Sequence, residues 1–181
     1  MVEFAIVAPV LLALVFGVFD FGRAMSANVT VTNSSREGAR YLIATVLTQG
    51  SSSYSSCQSG TNQGTPPSST SAEGKAWRQL QTASLDLTQV SMGIYFYKST
   101  NDPANDSSSS HSAANMSVTC AAGSTSSTPT IPGTTYTPAS GDWALFTTTY
   151  VYHPVTPVIS QLLQAAGGTV TVSQTTTMVI E

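Results

Sequence analysis

Chemistry in this sequence has few residues to work with. Its two histidines are isolated: His111 lies in a serine-rich stretch and His153 beside Pro154, neither with Cys, Asp or Glu at metal-ligand spacing. No G-x-S-x-G elbow and no phosphate-cradling glycine loop occurs. Of the 181 residues 27 are Ser and 26 are Thr, yet none has a base nearby in sequence, so no catalytic, metal or cofactor site is expected. Cys57 and Cys120 are the two cysteines, and in an exported chain a lone pair reads as a disulfide. Closing a loop of about 64 residues would stabilise the fold by roughly 4 kcal/mol on the chain-entropy account.

The remaining candidates are charges and amides. Glu3 alone precedes an apolar run; Asp20 and Arg23 follow it, three apart, a spacing that permits an ion pair on a helix. Arg36, Glu37 and Arg40 form a second block, with Arg36 and Arg40 on one helical face. Asn105 and Asn115 stand in N-x-S contexts within loops and are candidate glycosylation sites, as the Ser/Thr loops are for O-linked sugars. Asn28 and Asn33 carry the same tripeptide pattern on the helix.

The elements that must position these residues follow from composition and period. Only 8% of residues are charged and the net charge is −3, against about 25% charged in an ordinary domain. That argues against a nucleic-acid binder, whose affinity rests on many phosphate contacts, and leaves hydroxyls to wet the surface. Every residue from Phe4 to Phe19 is apolar or small. A 16-residue helix rises roughly 24 Å, between a membrane span of about 20 residues and a buried core helix. Glu3, in place of a basic cluster, reads as a trimmed, mature N-terminus and not a secretory signal.

Helical spacing continues through Met25, Val29, Tyr41 and Leu42, so one helix is expected over residues 2–47, apolar on all sides at first and amphipathic at the end. Pro9 removes an amide and crowds the carbonyl of Ala5, so a bend or short unwound segment is expected there, with Gly17, Gly22 and Gly38 as weaker points. A loop from Gln49 to Thr70 leads to a short helix near Ser71 with Ala76, Trp77, Leu80 and Ser84 inward. Period-two patterns then predict strands around Val90 to Tyr97, Met116 to Cys120, Trp143 to Val151 and Val170 to Ile180, with a short helix over Val155 to Ala166. The fold class is α+β: a long helix in residues 1–47 and a hydroxyl-rich head in 48–181 whose antiparallel sheet packs on the helix's amphipathic end.

Three blocks of the helix together resemble one family: Met-Val-Glu-Phe-Ala-Ile-Val-Ala-Pro-Val-Leu-Leu at residues 1–12, Phe19-Asp20-Phe21-Gly22-Arg23-Ala24, and Asn33-Ser34-Ser35-Arg36-Glu37-Gly38-Ala39-Arg40-Tyr41. They look like the TadE-like pilins and pseudopilins of tight-adherence pilus systems. The resemblance implies a subunit held in the inner membrane, trimmed by a prepilin peptidase, and packed by an assembly ATPase and platform proteins into an extracellular fibre. It implies a fibre core of Phe4, Ile6, Val7, Val10, Leu11, Leu12, Leu14, Val15, Phe16, Val18 and Phe19 from many copies. Glu3 then meets the terminal amine of a neighbouring copy or Arg23; otherwise it only caps the helix start, where the macrodipole favours an acid. Arg36, Glu37, Arg40 and Tyr41 either contact the head or form a solvated face.

Three functions compete on the sequence. The leading one is a self-polymerising pilin for adhesion or surface attachment. The second is a minor pseudopilin or single-helix-anchored binding module, and the third an anchored extracytoplasmic enzyme. What surrounds residues 4–19, copies of itself or lipid, separates the first two.

Overall fold

A computed structural model describes residues 2–49, 70–83, 85–106, 111, 114–120, 136–154, 160–161 and 169–181. Helix α1 spans Val2–Gln49 and α2 Ala72–Thr82; the strands are β1 (Val90–Tyr97), β2 (Met116–Cys120), β3 (Trp143–Tyr152) and β4 (Val170–Val179). The architecture is the expected α+β layout of one long helix against a small antiparallel sheet.

α1 has 48 residues and is roughly 72 Å long. It passes through Pro9 without interruption. Of the bend or short unwound segment expected there, the unwound segment does not occur; the helix continues on either side of the one missing amide bond. The two halves of α1 meet different surroundings. From Ala27 on, a stripe at three- and four-residue spacing is buried: Ala27, Val31, Ser34, Ser35, Ala39, Leu42 and Val46. Most of these side chains are small, so the sheet comes close. At Gly38 it comes closest: a Cβ there would lie 2.6 Å from Cζ of Phe146, a ring that is fully buried on β3. This glycine, read above as a weak point in the helix, is a seat for an aromatic ring.

α2 starts where its N-cap predicts. Ser71 Oγ accepts the amide of Gly74 at 3.1 Å, and Ala72, Ala76, Trp77 and Leu80 are buried. Ser84 lies outside the described residues. The sheet order is β2-β1-β3-β4, all antiparallel, with Val90 opposite Tyr150 and Trp143 opposite Val179. Met92, Ile94 and Phe96 of β1 are buried with Val90, as the alternation predicts. On β3 the buried set is Ala144, Phe146, Thr148, Tyr150 and Tyr152, along with Leu145, so Thr147, Thr149 and Val151 stand on the other face. On β4 the half-buried set is Val170, Val172, Gln174, Thr176 and Met178.

None of the four strands contains Asp, Glu, Lys or Arg. Their outer face is instead tied by hydroxyls, Thr147 to Thr175 at 2.9 Å and Thr149 to Ser173 at 3.0 Å. Ser35 reaches Thr176 at 3.0 Å, and Gln174 donates to Asn28 Oδ1 at 3.2 Å across the helix–sheet seam. Cys57 lies outside the described residues, and Cys120 ends β2 opposite Met92. The helix expected over Val155 to Ala166 also lies outside them, apart from Ser160 and Gln161, which are helical.

Candidate functional site

The largest feature that needs a partner is the first half of α1. All eleven large apolar residues from Phe4 to Phe19 are exposed, Phe4 at 76% and Phe19 at 70%, and Phe21, Met25 and Val29 extend the surface toward the head. At about 1.5–3 kcal/mol each, covering the eleven is worth roughly 16–33 kcal/mol gross. Soluble monomers rarely leave such a patch in water. The helix is also long and apolar enough to cross a membrane.

The charges flanking this run are arranged differently from the expectation. Glu3 is exposed at the helix start. Asp20 is only 6% exposed, turned under the head on the buried stripe, while Arg23 is rotated off that stripe and exposed. Arg23 forms no ion pair among the described residues, so the Asp20–Arg23 pair that the spacing allows is not made. Tyr152 at the end of β3 donates to the Asp20 carbonyl at 3.0 Å, fastening the head to α1 where the apolar run stops.

The second block divides. Arg36 and Arg40 are exposed, off the side that meets the sheet, and Glu37 is half-buried. Of the four residues expected to contact the head, Tyr41 does so: its hydroxyl donates to the Thr70 carbonyl at 2.8 Å and Lys75 Nζ lies 5.0 Å from its ring centroid. The arginines are solvated because Ser34, Ser35, Gly38 and Ala39 already occupy the interface side of that turn.

Below the sheet a cavity of about 330 Å³ opens against α1, lined by Arg23, Leu85, Asp86, Tyr150, Tyr152 and His153. Asp86 caps the short 3-10 turn Leu87–Gln89: its Oδ1 accepts from Thr88 N at 3.1 Å and Thr88 Oγ1 at 2.6 Å. His153 Nε2 lies 3.3 Å from Gln89 Oε1. Burial raises the hydroxyls of Tyr150 and Tyr152, the latter further through Asp20, so both remain protonated.

At the opposite end Asp142 gathers Ser99 N and Ala139 N at 2.9 Å and the Tyr136 hydroxyl. Burial alone would raise this carboxyl, but the Tyr136, Ala139 and Ser99 hydrogen bonds and nearby Lys98 bring it below its ordinary value. His111 belongs to a local cluster: Tyr97 donates to Asp106 Oδ2 at 2.9 Å and lies 3.1 Å from His111 Nδ1, and the His111 ring packs 4.2 Å from that of Tyr95. Among the described residues no three or more His, Cys, Asp or Glu groups could hold a metal.

Asn105 is exposed, whereas Asn115 is half-buried and its Oδ1 accepts from Lys98 N at 2.8 Å. Sequence reasoning passed over one buried acid. Glu73 in the first turn of α2 is 1% exposed and neither carboxyl oxygen has a hydrogen-bond partner. Burial dominates and pushes its pKa to about 8, against the opposing pull of its own amide and Ser71. The signal available in the sequence was its place four residues before Trp77, on the inward face of α2.

A long helix, bare and apolar along one half and clamped by small residues to an antiparallel sheet along the other, is a pilin-like layout. The sequence model of the family described as TadE-like protein matches residues 1–40, the stretch that holds the apolar run and most of the clamp. No curated protein and no solved structure matches the chain.

Proposed function

We propose that this chain is a structural pilin subunit that polymerises through the apolar half of α1 into an extracellular, cell-surface filament for adhesion or attachment. The observation that carries the reading is the exposed apolar helix of Phe4 to Phe19, which many copies of itself would cover on every side. Before assembly the same helix anchors the chain in the inner membrane, consistent with its length and composition. The match of residues 1–40 supports the accompanying partners: a prepilin peptidase, an assembly ATPase and platform proteins. The hydroxyl-coated, charge-free sheet would face outward with the heads.

The alternative is a minor pseudopilin or a single-helix-anchored binding module, favoured by the fact that one span suffices to hold the helix in lipid. Electron micrographs of detergent-free full-length chain separate the two. Fibres are expected, and a stable monomer would overturn the filament reading.

A further inference from the structure

The cavity beneath the sheet lies at a particular depth. Arg23 follows Phe19 by four residues, so while α1 spans a bilayer the cavity opens where the hydrocarbon ends and headgroups begin. Its lining carries both signs of charge. Arg23 presents an exposed guanidinium with no ion pair among the described residues, and Asp86 a carboxylate held in place through Oδ1 by Thr88. The two tyrosine rings and Leu85 supply apolar wall.

We propose that this cavity binds the zwitterionic headgroup of an aminoethyl phospholipid, phosphatidylethanolamine, with phosphate on Arg23 and ammonium on Asp86. This rests on the membrane-anchored stage of the proposed function and adds a ligand to it. The guanidinium fork suits phosphate oxygens. The primary ammonium can donate hydrogen bonds to the Asp86 carboxylate; a trimethylammonium cannot. A glycerol headgroup leaves Asp86 without a cation beside the phosphate's own negative charge. Lipid release would then accompany the step in which the helix leaves the bilayer, uncovering Arg23 for contact with a neighbouring copy.

The test uses the full-length chain in detergent micelles holding equal amounts of phosphatidylethanolamine, phosphatidylcholine and phosphatidylglycerol with identical acyl chains. Native mass spectrometry counts the lipid retained. Preferential retention of phosphatidylethanolamine is expected. Arg23→Gln and Asp86→Asn should each lower it about tenfold, the loss typical of one charge-assisted contact. Asparagine preserves the cap at residue 86, and Arg23→Lys, which keeps the charge, should retain most of the binding, so a folding defect is distinguishable from a lost contact. Equal retention of the three lipids, a preference for phosphatidylglycerol, or wild-type retention by both charge-removing variants would overturn the assignment. Each of these outcomes is read on monomers in micelles and leaves the filament reading to its own micrographs.

Discussion

Glu73→Gln should stabilise the head at neutral pH, against the ordinary expectation for replacing a buried side chain. The carboxyl has an ordinary value of 4.5 and stands at about 8 in the fold. With the folded value raised, the stability compatible with this group is fully present below pH 4.5, declines as pH climbs, and has been lost once pH passes about 8. One pKa unit corresponds to about 1.36 kcal/mol, so burying this acid costs roughly 3 kcal/mol at pH 7 and levels off at roughly 5 kcal/mol once it ionises above pH 8. Glutamine has nearly the same shape and never ionises, so it removes that cost while leaving a similarly unpaired polar group. Urea unfolding followed by fluorescence of Trp77, four residues further along α2, reads the effect directly. A gain of roughly 3 kcal/mol at pH 7 would move the midpoint up by roughly 1 M or more. The wild-type midpoint should fall between pH 5 and 8 and that of the variant should stay level. A flat wild-type profile over that range, or a variant less stable than wild type at pH 7, would refute the reasoning.

Gly38→Ala should destabilise the head: overpacking against the Phe146 ring costs roughly 1–3 kcal/mol and outweighs a helix-propensity gain of about 1 kcal/mol, so an unchanged thermal midpoint would count against the close contact. Tyr152→Phe removes the tyrosine's hydrogen bond to the Asp20 carbonyl, which the helix also engages, and should cost about 0.5–1.5 kcal/mol, visible as faster amide exchange in the turns flanking Asp20. Glu3→Gln should allow normal membrane insertion with few or no fibres, since a carboxylate enclosed by apolar helices needs a cation; wild-type fibre yield would contradict this. Rapid alkylation and mass spectrometry of unreduced protein should find Cys57 and Cys120 joined, and two free thiols would remove that bond from the description.

The long helix and four strands were legible because each carries a sustained period over eight or more residues or a clear alternation. Tertiary geometry was less so. Spacing alone put Asp20 and Arg23 within pairing distance, but the stripe from Asp20 through Ala24 and Ala27 to Val31 turns Asp20 under the sheet and leaves Arg23 outside it. Composition marked Gly38 as a helix weakener, whereas its meaning lies in a ring on a strand 108 positions away. Arg36 and Arg40 share a face, as their spacing requires, yet nothing in the local sequence says which face the sheet will choose. Glu73 was overlooked because an acid in the first turn of a helix is ordinarily a solvated partner for the macrodipole; only packing against the rest of the head makes it buried.

The bare half of α1 is apolar around its whole circumference, large side chains covering most of it and Pro9, Ala13 and Gly17 thinning one row. A single apolar stripe would prescribe which side of the rod faces a neighbour, but a coat that is apolar on every side lets rods associate at many rotations about their axes. In the proposed filament the azimuth of each subunit is therefore expected to come largely from the heads, which α1 carries in a fixed orientation through Gly38 against Phe146 and Tyr152 against the Asp20 carbonyl. Helical twist in such an assembly should follow substitutions on the sheet surface and ignore exchanges of Val for Leu among residues 4–19, a division that image reconstruction of variant fibres would measure.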